Sequence, residues 1–407
     1  MDIAKRMKYA CSPIHETDSI VEAMKGKGID VIKLNAGDPT KYLETPSYIV
    51  EAYKKALDEG KNAYASASGA SELKDAIASR YARLYNLKID KSDIIITEGT
   101  SEALMFLNAA LINNNDSAIL FSPYYPDYAP YLQIFGGKKI DGFYDESNNW
   151  DIDIENLKAK LSIINKSGKM KKIKYLLLTN PNNPTGTIIS RHALEEIVDL
   201  AKEYGLFIIS DEIYDEIILG SHKFTSMSEI ANGVPYMILN GASKVYNATG
   251  YRIGYMIIPG KDSFSEELKY RLNDLAAMRL SANTPAQYAI AEAIKNVDRH
   301  EQALKAMISA IESRINTSMK ILAENPYLSV VNPQAGFYLF PKIDVKALKI
   351  KTDKEFVKRF LEEEHVQLTR GSGFGMPDHI RIVALPKEEI LAEALERLNK
   401  FCNKYKR

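Results

Sequence analysis

Between residues 46 and 255, short apolar runs alternate with stretches in which apolar side chains recur every three to four positions. The runs DIIIT (93–97), IKYLLLT (173–179) and LFIIS (206–210) are too short for helices and end in turn or capping residues. They predict buried parallel strands. Leu194, Ile197, Val198, Ala201 and Tyr204 recur at helical spacing behind Ser190, a natural N-cap, and ahead of Gly205, a natural C-cap. That predicts a crossover helix between the last two strands. Leu104, Leu107 and Leu111 mark another helix just after the first strand. The alternation implies an α/β fold with a mostly parallel central sheet flanked by helices.

Beyond residue 261 the pattern changes to long charged helices, short strands near 336–340 and 379–383, and a last amphipathic helix over about 387–402. A smaller α+β domain is expected there. The 407 residues exceed what one hydrophobic core usually serves. The expected division is an N-terminal segment (1–47) packing with the small domain, a large domain (48–295) and a small C-terminal domain (296–407). With no Pro/Ser-rich linker between them, the domains should share a tight interface and a site.

Composition narrows the function classes. Lysine plus arginine and aspartate plus glutamate each total 53, so net charge draws the chain toward neither nucleic acid nor an anionic membrane. The N-terminus lacks the apolar core of a secretion signal, and no apolar run approaches the ~20 residues that span a bilayer. The two cysteines, Cys11 and Cys402, stand near opposite ends of the chain and make no disulfide framework. A cytoplasmic protein is expected. The six histidines form no zinc-ligand spacing, so no metal is expected. GSGFG (371–375) lacks the lysine a nucleotide loop needs and reads as a turn.

Candidate chemistry clusters where the predicted strands end, the edge at which open α/β sheets place their ligands. TNPNNPTG (179–186) follows one strand, and SDEIY (210–214) ends the next, placing Asp211 at the same edge with Tyr214 three residues on. A buried carboxylate there needs a cationic partner, and a pyridinium nitrogen is one. NGASK (240–244) and TGYRIG (249–254) put Lys244 eight residues before Arg252. A buried lysine loses its proton readily and can then form an imine with an aldehyde, while an arginine suits a phosphate. EGTSE (98–102) opens the helix of Leu104, and small residues at a helix N-terminus make a phosphate cradle. A turn, a helix cap and a solvated charge pair are the alternative readings of these segments taken singly.

Together, and in this order, these segments resemble the class I and II aminotransferases, the fold-type-I enzymes that use pyridoxal 5′-phosphate, over nearly the whole chain. The resemblance implies that Lys244 forms the imine with the cofactor and moves the proton. It implies that Asp211 faces the ring nitrogen, that Asn183 and Tyr214 bond the phenolic oxygen, and that Tyr125 stacks on the ring. Gly99, Thr100, Ser101, Ser243 and Arg252 would hold the phosphate, joined by Tyr64 from a partner subunit, which implies a homodimer. Arg381, in DHIRIV (378–383), would grip the substrate α-carboxylate beside Asn183, and Gly37 would leave room for the substrate. Many members carry a serine three residues before the lysine, where this chain has Gly241.

The stretches LAAMRLSANTPAQ (275–287) and FPKID (340–344) resemble most the prokaryotic alanine aminotransferases, which pair alanine and pyruvate with glutamate and 2-oxoglutarate. Arg279 stands at the spacing at which some aspartate aminotransferases carry the arginine that binds a substrate's distal carboxylate from the neighbouring subunit, so aspartate or broad specificity is the alternative. The same scaffold also serves C–S lyases and the effector-binding halves of regulators, although residues 1–46 show no helix-turn-helix pattern.

Overall fold

The computed structural model describes residues 2–406; Met1 and Arg407, the ends of the expected first and last segments, lie outside the described residues. Strand β1 (Ile32–Lys33) precedes the central sheet. That sheet is built from β2 (Ile94–Glu98), β3 (Ser117–Ser122), β4 (Lys138–Asp145), β5 (Asp151–Ile152), β6 (Ile173–Thr179), β7 (Ile208–Asp211), β8 (Tyr236–Gly241) and β9 (Ile253–Ile257). Its order is β2-β9-β8-β7-β6-β3-β4-β5. The pairs β3–β4, β3–β6, β6–β7 and β7–β8 are parallel.

The apolar runs are continuous because both faces of the sheet are covered. In β6, Leu176 and Leu178 point into one buried cluster and Tyr175 and Leu177 into the other. In β8, Ile238 faces the first, and Met237 and Leu239 the second. Each such side chain gains roughly 1.5–3 kcal/mol from leaving water. The crossover helix Arg191–Tyr204 forms as its pattern predicts: the Ser190 hydroxyl accepts from the Ala193 N–H (3.1 Å), and Gly205 ends the helix at φ +66°.

One strand differs from expectation. Residues 93–97, read as a parallel strand, become β2, which pairs only with β9 and does so antiparallel. β9 is antiparallel to β8 as well, so the β8–β9 connection inserts a reversed strand between β2 and the parallel strands. The apolar pattern reports burial on both faces and carries no sign of direction. The third run begins later than expected, with Leu206 and Phe207 buried ahead of β7.

After the helix Val297–Ala323 come β10 (Leu328–Ser329), β11 (Tyr338–Leu339), β12 (Lys342–Ile343), β13 (Val366–Gln367), β14 (Thr369–Arg370) and β15 (Ile380–Val383), and then the helix Glu388–Tyr405. β15 lies between β11 and β14 and is antiparallel to both. β1 pairs parallel with β13, Ile32 opposite Val366, so the N-terminal segment is fastened to the C-terminal strands. Asn296, where the second expected boundary falls, separates helix Thr284–Lys295 from Val297–Ala323. Among the described residues no helix is long and apolar enough to cross a membrane, and no group of side chains is placed to hold a metal ion.

Candidate active site

Parallel strands end at one edge, so β6, β7 and β8 deliver Thr179, Asp211 and the 241–244 loop to the same side of the sheet. The reversed β9 begins at that edge and brings Arg252 with it, and β2 ends there in the helix Gly99–Leu111. A cavity of about 370 Å³ opens over this edge. Gly37, Thr100, Ser101, Tyr125, Asn183 and Asp211 line it, as do Tyr214, Ser243, Lys244, Arg252 and Arg381. Residues 300 positions apart in sequence thus face one space.

Lys244 is partly buried, and its Nζ donates to the Gly37 carbonyl (2.7 Å). Desolvation lowers its pKa to about 8; Asp38 opposes that shift, and the Arg381 and Arg252 charges add to it. Asp211 is buried. Its Oδ2 accepts from the Tyr128 hydroxyl (2.6 Å) and its Oδ1 from the Ile213 N–H (3.2 Å), with no ion-pair partner among the described residues. Burial raises its pKa to about 6 despite those two donors. A carboxylate placed this way is stabilised by a cation brought to it.

Arg381 is buried and lies between the rings of Tyr338 (4.8 Å) and Phe374 (4.7 Å). One Nη donates to Asn183 Oδ1 (2.9 Å) and the other to the Asn35 carbonyl, while Nε has no partner. It too lacks an acidic partner among the described residues, so a planar guanidinium faces the cavity ready for a carboxylate. On the opposite wall Arg252 is exposed, donating to the Thr249 carbonyl (3.0 Å) and, at 3.4 Å, to that of Glu98. Its guanidinium lies over Gly99, where a Cβ would come within 2.2 Å of it and φ is +72°. No side chain caps this helix at Glu98, so its first-turn N–H groups are available beside Arg252.

Two glycines have reasons the sequence did not reveal. A Cβ on Gly37 would lie 2.2 Å from the Tyr338 hydroxyl, so the C-terminal strands forbid a side chain there, before any substrate does. Gly241, the departure from the family's serine, faces Gly254 across β8–β9, and a Cβ would lie 2.6 Å from the Ile253 carbonyl oxygen. The close approach of β9 excludes the serine.

Two predicted residues lie apart from the cavity. Tyr64 is 79% exposed on the surface of this chain. Arg279 donates to Glu102 (3.1 Å) and to the carbonyls of Ala67 (3.0 Å) and Ile96 (3.2 Å). Several wall residues went unread in the sequence: Tyr128, which bonds Asp211, Tyr338, which bonds Tyr214 hydroxyl to hydroxyl (2.7 Å), and Ile14, His15, Asp38 and Lys41 of the N-terminal segment. Only Asp38 had a signal, its place beside Gly37.

The site fits a planar ring with a phosphate at one end. An uncapped helix start and a guanidinium with no acidic partner among the described residues suit the phosphate, a buried carboxylate suits a protonated ring nitrogen, and an amine of lowered pKa suits an aldehyde.

The family of aminotransferases of class I and II matches residues 29–398. An aspartate aminotransferase of Bacillus subtilis is 32% identical, covering 100% of this chain and of its own. A glutamate-pyruvate aminotransferase of Haemophilus influenzae is 32% identical and covers 98% of each. Among solved structures, an alanine aminotransferase from Pyrococcus furiosus is 36% identical and superposes with a TM-score of 0.93, covering 99% of this chain and 100% of that one.

Proposed function

The chain belongs to the class I and II aminotransferases, and from that premise we propose that it moves the amino group of alanine to 2-oxoglutarate, giving pyruvate and glutamate. It is a pyridoxal phosphate enzyme of fold type I. When bound, the cofactor supplies an aldehyde for the amine and a protonated ring that takes up the electrons left when the substrate Cα–H bond breaks.

The protein's own residues do the rest. Arg381 and Asn183 hold the substrate α-carboxylate and thereby orient the Cα–H bond. Lys244 would hold the cofactor's aldehyde through its amine and, when that amine is free, would be the base that takes the Cα proton. Asp211 keeps the ring nitrogen protonated, and Tyr128 keeps Asp211 in place. Gly99, Thr100, Ser101, Ser243 and Arg252 would hold the phosphate, and Tyr125 and Tyr214 would hold the ring. Both half-reactions use one site, so the kinetics are ping-pong.

The names of the Haemophilus and Pyrococcus relatives support alanine as donor, and the tie of Arg279 to Glu102 occupies the arginine that some aspartate aminotransferases use for a distal carboxylate. That guanidinium is engaged within its own chain, and Arg381 is the one buried guanidinium lining the cavity among the described residues. A donor with a methyl side chain needs no second guanidinium. The Bacillus name favours aspartate.

A donor panel decides: with 2-oxoglutarate as acceptor, alanine should give glutamate with a kcat/KM at least about tenfold above aspartate, aromatic and branched donors. Faster turnover of aspartate would keep the mechanism and replace the donor. We further propose a homodimer in which Tyr64 completes the partner's phosphate site. The segment that carries Tyr64 is bonded through Ala65 to Thr284 and through Ala67 to Arg279, and Arg279 stands between Met278 and Leu280, 82% and 52% exposed. Light scattering on the same preparation should give twice the 45.7 kDa chain mass; a monomeric mass overturns the dimer.

A further inference from the structure

We propose that Lys41 is the specificity-determining cation that takes the distal carboxylate of a dicarboxylic substrate in this site. The inference rests on the reading above, in which one half-reaction handles a neutral side chain and the other a second carboxylate. Glutamate and 2-oxoglutarate bring a negative charge that needs a partner once it leaves water, whereas alanine and pyruvate bring none.

Among the described residues the cavity wall carries five basic side chains: His15, Lys41, Lys244, Arg252 and Arg381. Lys244, Arg252 and Arg381 already have the amine, the phosphate and the α-carboxylate as their work. Arg279 lies off the wall, held by Glu102 and two carbonyls. His15 is bonded to Asp18 at 2.8 Å. Lys41 remains, with its Nζ no nearer than 3.8 Å to the one carboxylate it approaches, Asp38 Oδ2.

Its support is fixed although its tip is free. Lys41 ends the short turn Pro39–Lys41. Asp38 Oδ1 accepts from the hydroxyls of Thr40 (2.6 Å) and Thr249 (2.8 Å), and those hydroxyls lie 3.0 Å apart. Thr249 belongs to the loop that also carries Arg252, so the base of Lys41 is tied to the cofactor-binding loop. Its own side chain is 64% exposed at the cavity mouth. A long flexible stem with a hydrated head can fold in over a carboxylate and return to water when alanine occupies the site. A buried arginine would leave an unpaired charge in the alanine half-reaction.

The test is Lys41→Gln, with the two half-reactions followed separately. We expect kcat/KM for glutamate and for 2-oxoglutarate to fall about tenfold or more, the loss of one charge-assisted hydrogen bond. Values for alanine and pyruvate should stay within about twofold, and Lys41→Arg should recover most of the loss. Equal losses for both substrate classes, or no loss for glutamate, overturn the proposal. Calorimetric binding of succinate and propionate needs no turnover and separates this inference from the proposed acceptor. The parent should prefer succinate, and Lys41→Gln should abolish that preference. If the parent transfers amino groups but not to 2-oxoglutarate, the acceptor is wrong, and the succinate comparison still decides Lys41.

Discussion

Replacing Lys244 with alanine lowers turnover by about ten-thousand-fold or more, because one amine serves both as nucleophile toward the cofactor and as the base that moves the Cα proton. Fold and cofactor pocket should survive: the lysine makes one hydrogen bond, to the Gly37 carbonyl. Borohydride should therefore tie pyridoxal phosphate irreversibly to the parent protein and leave it dialysable from Lys244→Ala. The parent carries a pH signature of the same group. Since burial lowers the amine to about 8, the neutral form, and with it covalent capture of cofactor by the cofactor-free protein, should rise about tenfold per pH unit below pH 8 and level off above it. Retained turnover in Lys244→Ala, or capture that is flat between pH 6 and 8, would remove Lys244 from its role.

The second large effect is expected at Asp211, where asparagine keeps the shape but loses the charge and one of the two accepted hydrogen bonds, because its amide nitrogen cannot accept from Tyr128 or Ile213. Turnover should drop about 100-fold or more, since a neutral amide does not hold the ring nitrogen protonated. Stability of the cofactor-free protein should move the other way. Asp211 titrates near 6 in the fold against 3.8 in its absence. Its burial penalty is therefore absent below about pH 4, grows between the two values, and is complete above pH 6. Relief of that penalty contributes on the order of 3 kcal/mol at pH 7, and the lost accepted bond opposes it by about 1–2 kcal/mol, so Asp211→Asn should gain on the order of 1 kcal/mol. Thermal unfolding of the cofactor-free forms at pH 4.5 and 7 checks the sign. A variant that turns over within tenfold of the parent would show that Asp211 does not face the ring nitrogen, and one that gains nothing in stability between pH 4.5 and 7 relative to the parent would show that its carboxyl carries no burial penalty.

The sequence by itself determined the strands and helices that alternate across the large sheet, because periodicity and caps are local. The run 173–179 became β6 unchanged, and Ser190 and Gly205 bound their helix as read. It also placed Lys244, Asp211 and Asn183 at or beyond the ends of strands, since parallel strands share an edge, whereas Arg252 reaches that edge at the start of the reversed β9. Tertiary structure decided what depends on partners far along the chain. The antiparallel setting of β2 came from β9, more than 150 residues later, and the glycine at 37 from Tyr338, about 300 residues later. The engagement of Arg279 with Glu102 was equally out of reach, because spacing states where an arginine stands and only packing states what it holds. Lys41 joined the cavity wall for the same reason: an exposed lysine reads as solvated until the fold shows which space it borders.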